Sequence, residues 1–375
     1  MEIIPSNNLR RHYVAHAELL SGIAAEVMAS GYWINGPRNE AFCRAFAASL
    51  GVAFCVGVAN GTDALEIALR ALLAEDASGE DRREIVTVAN AGGYTTTACR
   101  ILGCTPVFAD IDPATQLLSI DAAIAALGER TAAIVVTHLY GGLVDVPGLR
   151  AAMSTAGYGH VPILEDCAQS HGLRGCGGAA GAFGDVATFS FYPTKNLGAL
   201  GDGGAIVTSR AALADRVASL RQYGWARKYE IALAGGRNSR LDEIQAALLS
   251  GLLPELDRAN ARRVEILDAY AAAAPAGVRV VRSPHGSVGH LAVVLTEDRE
   301  RLRRDLTAAG ISSEVHYPIL DCDQPGWAAL PQRIGPAGLT ASRHSVERIL
   351  TLPCFPELTE AEQARVCAAL AAFEP

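Results

Sequence analysis

Lysine is almost missing from this 375-residue chain: of 32 cationic residues only Lys195 and Lys228 are lysines, and arginine supplies the rest. A lysine kept in such a sequence, inside an apolar and glycine-lined stretch, is a better candidate nucleophile than one of many on a surface. Aromatic residues are 6% and charged residues 19%, and the net charge of −8 is spread without a long run of either sign. No cationic stripe is available for nucleic acid or an anionic membrane, so neither is an expected partner. No apolar run approaches the ~18–20 residues that span a bilayer, and the first residues, MEIIPSNNLRRHYVAH, lack the basic-then-apolar order of a signal peptide. A cytoplasmic protein is expected. Nine cysteines form no CxxC pair and sit mostly in apolar, strand-like stretches, so they read as reduced core residues. The nine histidines are read as adding no HxxxH or HExxH spacing, and no structural metal is expected.

Half of the residues are apolar, with 37 glycines and 17 prolines, a globular composition. At roughly 100–200 residues per domain the length suggests two or three domains. From residue 53 to 208, short β-branched runs alternate with alanine- and leucine-rich segments of helical period. The runs read as strands are 54–58, 84–88, 105–110, 132–138, 161–166, 186–191 and 204–209. Most lack period-two alternation, as expected of strands covered on both faces. Helices are expected over 63–74, 119–127, 146–156, 211–221 and 242–252, the last with a capping-box pattern of Ser239 and Asp242. This is the signature of an α/β fold with a mostly parallel central sheet. Pro254 opens a charged helical stretch read as an exposed connecting rod, which divides the chain into a large domain, 1–253, and a smaller α+β domain, 254–375. In the smaller unit RVVRSP, HLAVVL and ISSEVHYP read as strands, and DRERLRRDLTAAG as a helix ended by Gly310.

In open α/β sheets ligands bind beyond the carboxyl ends of the strands, so polar residues just after a strand are weighed first. Asn60-Gly61-Thr62-Asp63 stands between a strand and a helix, where backbone N–H groups and the helix dipole favour an anion such as phosphate; a plain Asn60 N-cap is the other reading. Asp166 closes the run VPIL, where a carboxylate pairs with a cationic ring nitrogen or caps the next helix. Lys195 follows the strand ending in Phe191 and precedes GALGDGG. Asn238 and Arg240 stand in GRNSRLDEIQ, beside the expected cap residues of the helix that follows. Gly175–Gly181 loosely matches a dinucleotide fingerprint but precedes a strand and does not join one to a helix, so a nicotinamide site is not expected there. Together, a helix-start anion site, an aspartate and a lone lysine at strand ends, plus Arg240, match what pyridoxal 5'-phosphate needs: a phosphate cradle, a carboxylate for the ring nitrogen and an amine for the imine.

The strings NGTDALEIAL, VTHLYGG, ILEDCAQSHG, FSFYPTKNLGALGDGG and NSRLDEIQAA resemble those of the DegT/DnrJ/EryC1/StrS sugar aminotransferases, and the likeness runs from GYWINGP to LTLPCFPELTEAE. It implies the aspartate-aminotransferase fold (fold type I), a homodimer with active sites at the subunit interface, and transfer of an amino group from glutamate to a nucleotide-linked keto-deoxyhexose at C-3 or C-4. The cofactor it implies is pyridoxal 5'-phosphate, cycling through pyridoxamine 5'-phosphate. Lys195 is similar to the Schiff-base lysine, and Asp166 to the partner of the pyridine nitrogen. A carboxylate and a pyridinium about 4 Å apart gain on the order of 4 kcal/mol at an effective dielectric of 20. Gln169 resembles the residue at the ring hydroxyl; Gly61, Thr62, Ser190 and Asn238 resemble the phosphate site, with Asn238 serving the other subunit. Arg240 is placed for the donor's carboxylate, His316 and Tyr317 for the sugar pocket, and Trp33 for its entrance. The sequence departs from the family at Asn60, where serine is usual, and over 88–94, where Tyr94 is the aromatic expected to stack on the ring. A cyclitol or other ketone as acceptor, and a non-catalytic sugar-nucleotide-binding relative, stay open as alternatives.

Overall fold

In a computed structural model the chain is described over residues 3–75 and 82–374. The two larger sheets are built from β1 (Phe54–Val58), β2 (Glu84–Val88), β3 (Thr105–Ala109), β4 (Thr131–Thr137), β5 (Ile163–Asp166), β6 (Val186–Ser190), β7 (Gly204–Thr208), β8 (Val278–Val280), β9 (Ala292–Thr296), β10 (Arg333–Ile334) and β11 (Ile349–Leu352). The large sheet has the order β1-β7-β6-β5-β4-β2-β3-β10. Its neighbours are parallel except where β7 pairs antiparallel with β1 and β6. All seven runs read as strands between residues 54 and 209 form here, with ends within two residues of those expected.

The central strands carry two cores, one per face. Val86, Ile134 and Val136 point into one apolar cluster, while Ile85, Ala133 and Val135, one residue out of step, point into the other. This double covering explains why β2 is buried at all five positions and shows no polar alternation. Helix α1 (Gly61–Leu73) packs its apolar residues into the second cluster. Within it Glu66 is buried but paired with Arg70 at 2.6 Å and with Arg237, which satisfies the charge inside the core. Helix α2 (Tyr94–Ile101) follows β2 and was not anticipated from the sequence.

The smaller sheet is β8-β9-β11, antiparallel. Three readings of the sequence need correction. The stretch after Pro254 is helix α3 (Leu256–Ala273), but it is no exposed rod: Ile266, Leu267 and Tyr270 pack into the core beside the small sheet. ISSEVHYP is no continuous strand. It makes two isolated bridges, Ile311 with Ile4 and Glu314 with Thr351, because its neighbours touch it at only those points. The 243–252 helix lacks the expected capping box: Asp242 is its N-cap without a side-chain bond, and Ser239 instead accepts the Ala59 N–H at 3.0 Å.

Candidate active site

The carboxyl ends of β1, β2, β5 and β6 open on a cavity of about 640 Å³, closed on the other side by residues of the small sheet and its neighbours. Its first wall is the start of α1. Asn60 accepts the Asp63 N–H at 2.8 Å, which fixes the turn and leaves Gly61 and Thr62 at the helix start facing the cavity beside Ser190. Glycine is required at 61: a Cβ there would stand 2.6 Å from the Ser190 Cβ. First-turn amides, the positive end of the helix and a hydroxyl together form a seat for a phosphate.

Asp166 is the last residue of β5 and is 4% exposed. Burial raises its pKa, while the Ala168 N–H at 3.1 Å, Lys195, His138 and the Thr137 hydroxyl act in the opposite sense. Glu165 points the other way along the strand. Its carboxylate takes His138 Nε2 at 2.9 Å and the N–H groups of Gly181, Phe183 and Gly184, which outweigh the effect of burial and hold its pKa low. The Val144 N–H donates to His138 Nδ1 at 3.2 Å, which leaves Nε2 to face Glu165. Glu165 therefore anchors the strand end, and Asp166 alone faces the cavity.

Lys195 lines the same cavity. Burial lowers its pKa to about 8, against the opposing pull of Asp166. Beneath it His171 is fully buried, tilted against Phe189 and Phe191 with ring centroids 5.4 and 5.7 Å away. Burial, and then Lys195, push this imidazole down to about 3.

The aromatic side of the cavity is Tyr94 and Tyr317, edge to face at 6.2 Å. Gly92, with φ of +80°, lies under Tyr317, where a Cβ would come within 2.8 Å of the ring. Gln169 is committed to this wall: it donates to the Tyr317 hydroxyl at 3.1 Å and accepts the Tyr140 N–H at 2.6 Å. The Tyr140 hydroxyl in turn donates to the His316 carbonyl. Helix α2, which begins with Tyr94, is tied down by Asp321, whose carboxyl takes the Thr96 hydroxyl at 2.6 Å and is pushed up to about 7 by burial.

The fold thus brings Gly61, Thr62, Tyr94, Asp166, Ser190, Lys195, His316 and Tyr317 to one cavity, with Gln169 directly behind it. It does not bring Trp33, Asn238 or Arg240 there. These three lie near one another on a different face: Ile34 bridges Asp242, Asn238 bridges Gln222, and Gln222 accepts from Asn35 at 3.0 Å. Trp33 is 62% exposed and Asn238 is exposed. Asp202, His290, Glu314 and Thr351 also line the cavity and were not foreseen, since each is one polar residue in an unremarkable string. The sequence reading also passed over His12 and His16, four residues apart. They converge with Glu357, and the His12–Glu357 contact is a 2.9 Å hydrogen bond between the N-terminal helix and the loop before the last helix.

A buried carboxylate, a buried amine and a helix-start anion seat closed by Ser190 are the donor set a phosphorylated pyridine aldehyde requires, and the site fits that group. The comparisons with known proteins agree. The profile of the DegT/DnrJ/EryC1/StrS aminotransferase family matches residues 17–371. A UDP-N-acetyl-3-dehydro-α-D-glucosamine 3-aminotransferase of Acidithiobacillus ferrooxidans is 37% identical, over 97% of this chain and 96% of its own. A UDP-2-acetamido-2-deoxy-3-oxo-D-glucuronate aminotransferase of Pseudomonas aeruginosa is 33% identical, over 92% and 93%. Among solved structures, DesV of S. venezuelae in complex with a ketimine intermediate superposes with a TM-score of 0.91, at 34% identity over 99% of this chain and 98% of that one. The chain belongs to the DegT/DnrJ/EryC1/StrS aminotransferase family.

Proposed function

We propose that the protein is a pyridoxal phosphate-dependent transaminase that moves an amino group from glutamate to carbon 3 of a nucleotide-linked keto sugar, for amino-sugar biosynthesis in the cytoplasm. The observation that carries the reading is that Lys195 and Asp166 line one cavity with the Gly61–Thr62–Ser190 seat. Carbon 3 is favoured over carbon 4 because both relatives described above are named for chemistry at that position.

When bound, the cofactor supplies an electron sink that lets a proton leave the carbon bearing the amine. The rest is done by the chain. Asp166 holds a proton on the ring nitrogen, and its burial removes competing water. Lys195, with its pKa lowered to about 8, is partly unprotonated near neutral pH and would accept and return the proton that leaves the substrate carbon. Gly61, Thr62 and Ser190 hold the phosphate, and Tyr94 and Tyr317 bound the ring and sugar space. The patch of Trp33, Asn238 and the half-buried Arg240 completes the site of a second copy, with Asn238 of the partner subunit at the phosphate and Arg240 of the partner subunit at the donor carboxylate. The active species is then a homodimer.

The experiment is a single-turnover assay. Enzyme charged with glutamate is offered nucleotide-linked 3-keto and 4-keto sugars, and the products are weighed by mass spectrometry. Aminated 3-keto sugar is expected. Amine transfer to none of them, or only to 4-keto sugars, contradicts the reading.

A further inference from the structure

Apart from Lys195 and Asp166, the charged side chains on the cavity wall are Asp202 and Glu314, and no arginine lines it among the described residues. Glu314 is the more elaborately held of the two. Its backbone is fixed by a reciprocal pair of hydrogen bonds with Thr351, at 3.1 and 2.7 Å. The Ser6 hydroxyl donates to Glu314 Oε1, and His316 Nε2 stands 3.6 Å from Oε2. His316 is itself set by Thr351 Oγ1 at 2.9 Å from Nδ1. Ser6 reaches this point because the N-terminal arm is pinned two residues earlier, where Ile4 is fully buried and exchanges hydrogen bonds of 2.9 Å with Gly310 and Ser312.

Three separate segments thus converge on one carboxylate at the cavity wall, on the side of the small sheet. The chemistry proposed above does not use it. Glu314 and His316 both line the cavity with their side chains 3.6 Å apart, so Glu314 is presented beside His316 to whatever fills the sugar space. A carboxylate only accepts hydrogen bonds, so it suits hydroxyl or amide N–H donors and repels a second carboxylate.

We propose that Glu314, steadied by Ser6, is a specificity-determining residue that accepts hydrogen bonds from the substrate's sugar ring and restricts the enzyme to keto sugars without a carboxylate, excluding uronates. This rests on the sugar-aminotransferase reading and narrows it to one substrate class. Because the Glu314 side chain is 53% exposed, solvent screens part of the repulsion and the selection is moderate, on the order of tenfold.

The test uses holoenzyme and two ligands that differ only at carbon 6: a nucleotide-linked 3-amino hexose and its 6-carboxylate counterpart. Affinity is read by calorimetry, and the reverse reaction with 2-oxoglutarate gives kcat/KM. The wild type is expected to favour the uncharged sugar by about tenfold or more in both, and Glu314→Gln, which keeps the shape, to reduce that ratio to within about threefold. Equal affinity of the wild type for the two sugars overturns the proposal while leaving the aminotransferase reading intact, and needs no variant. So does a preference that persists unchanged in Glu314→Gln. Binding of neither sugar, with amine transfer absent, overturns the sugar reading and this proposal together.

Discussion

Gly61 and Ser190 approach so closely that a single added methyl group on Gly61 would stand 2.6 Å from the Ser190 Cβ. The contact joins the turn after β1 to the end of β6 and so fixes the width of the anion seat. Gly61→Ala is expected to push the two apart and weaken cofactor binding by at least about tenfold, equivalent to ~1.4 kcal/mol. Adding Ser190→Gly relieves the clash and restores thermal stability but not affinity, because the hydroxyl is gone. Titration of apoprotein with pyridoxal phosphate checks both; unchanged affinity in Gly61→Ala contradicts the assignment of the seat.

Lys195 titrates near pH 8 because burial disfavours its charged form more than Asp166 restores it. The amine reacts only when unprotonated, so capture of pyridoxal phosphate by apoprotein should accelerate as pH rises through about 8 and then level off. An ordinary lysine would keep accelerating toward about 10.4. Stopped-flow absorbance between pH 6.5 and 10 distinguishes the two. Replacing Asp166 by Ala removes the opposing charge and is expected to shift the midpoint further down.

His171 stays neutral in the folded protein, at about 3, against an ordinary value of 6.5. The unfolded chain therefore takes up this proton first. Stability is whole above pH 6.5, falls as pH drops below it, and stops falling on this account near 3. At pH 5 the loss is about 2 kcal/mol. His171→Phe, which sets a third apolar ring beside Phe189 and Phe191, is expected to unfold in urea with a smaller stability difference between pH 7 and pH 5 than the wild type. An identical difference contradicts the account.

The proposed exchange of Asn238 between subunits predicts complementation. Lys195→Ala supplies an intact Asn238 but no amine, and Asn238→Ala the reverse. Each alone is inactive or strongly impaired. Mixed dimers prepared by co-expression contain one complete site and should recover a substantial part of the activity, up to about half per dimer. No recovery in verified mixed dimers shows that the site is completed within one chain.

The parts of the fold legible in the sequence are those fixed by local pattern. The five buried residues of β2 read as a strand because both faces are covered, and the turn at Asn60 reads as a helix start because its side chain caps Asp63. The misreadings concern residues whose partners are distant. Ser239 has the spacing of a cap but meets the Ala59 N–H, 180 residues away in sequence. ISSEVHYP has strand composition but touches a neighbour at two points. In the site, Lys195 and Asp166 were legible because a rare or charged residue ends an apolar run. Glu314 was not, because its placement depends on Ser6, 308 residues earlier. Asn238 and Arg240 stood out as polar residues before a helix and Trp33 only through resemblance, and one chain does not bring the three to the cavity.

The near absence of lysine makes the decisive measurement a simple one. Protein loaded with pyridoxal phosphate is reduced with borohydride, digested, and searched for the pyridoxyl adduct by mass spectrometry. The chain offers only Lys195, Lys228 and its amino terminus as amines. A stoichiometric adduct on Lys195, lost in Lys195→Ala, is the predicted result. An adduct on Lys228 or the terminus, or none on Lys195 at saturating cofactor, would contradict the central claim.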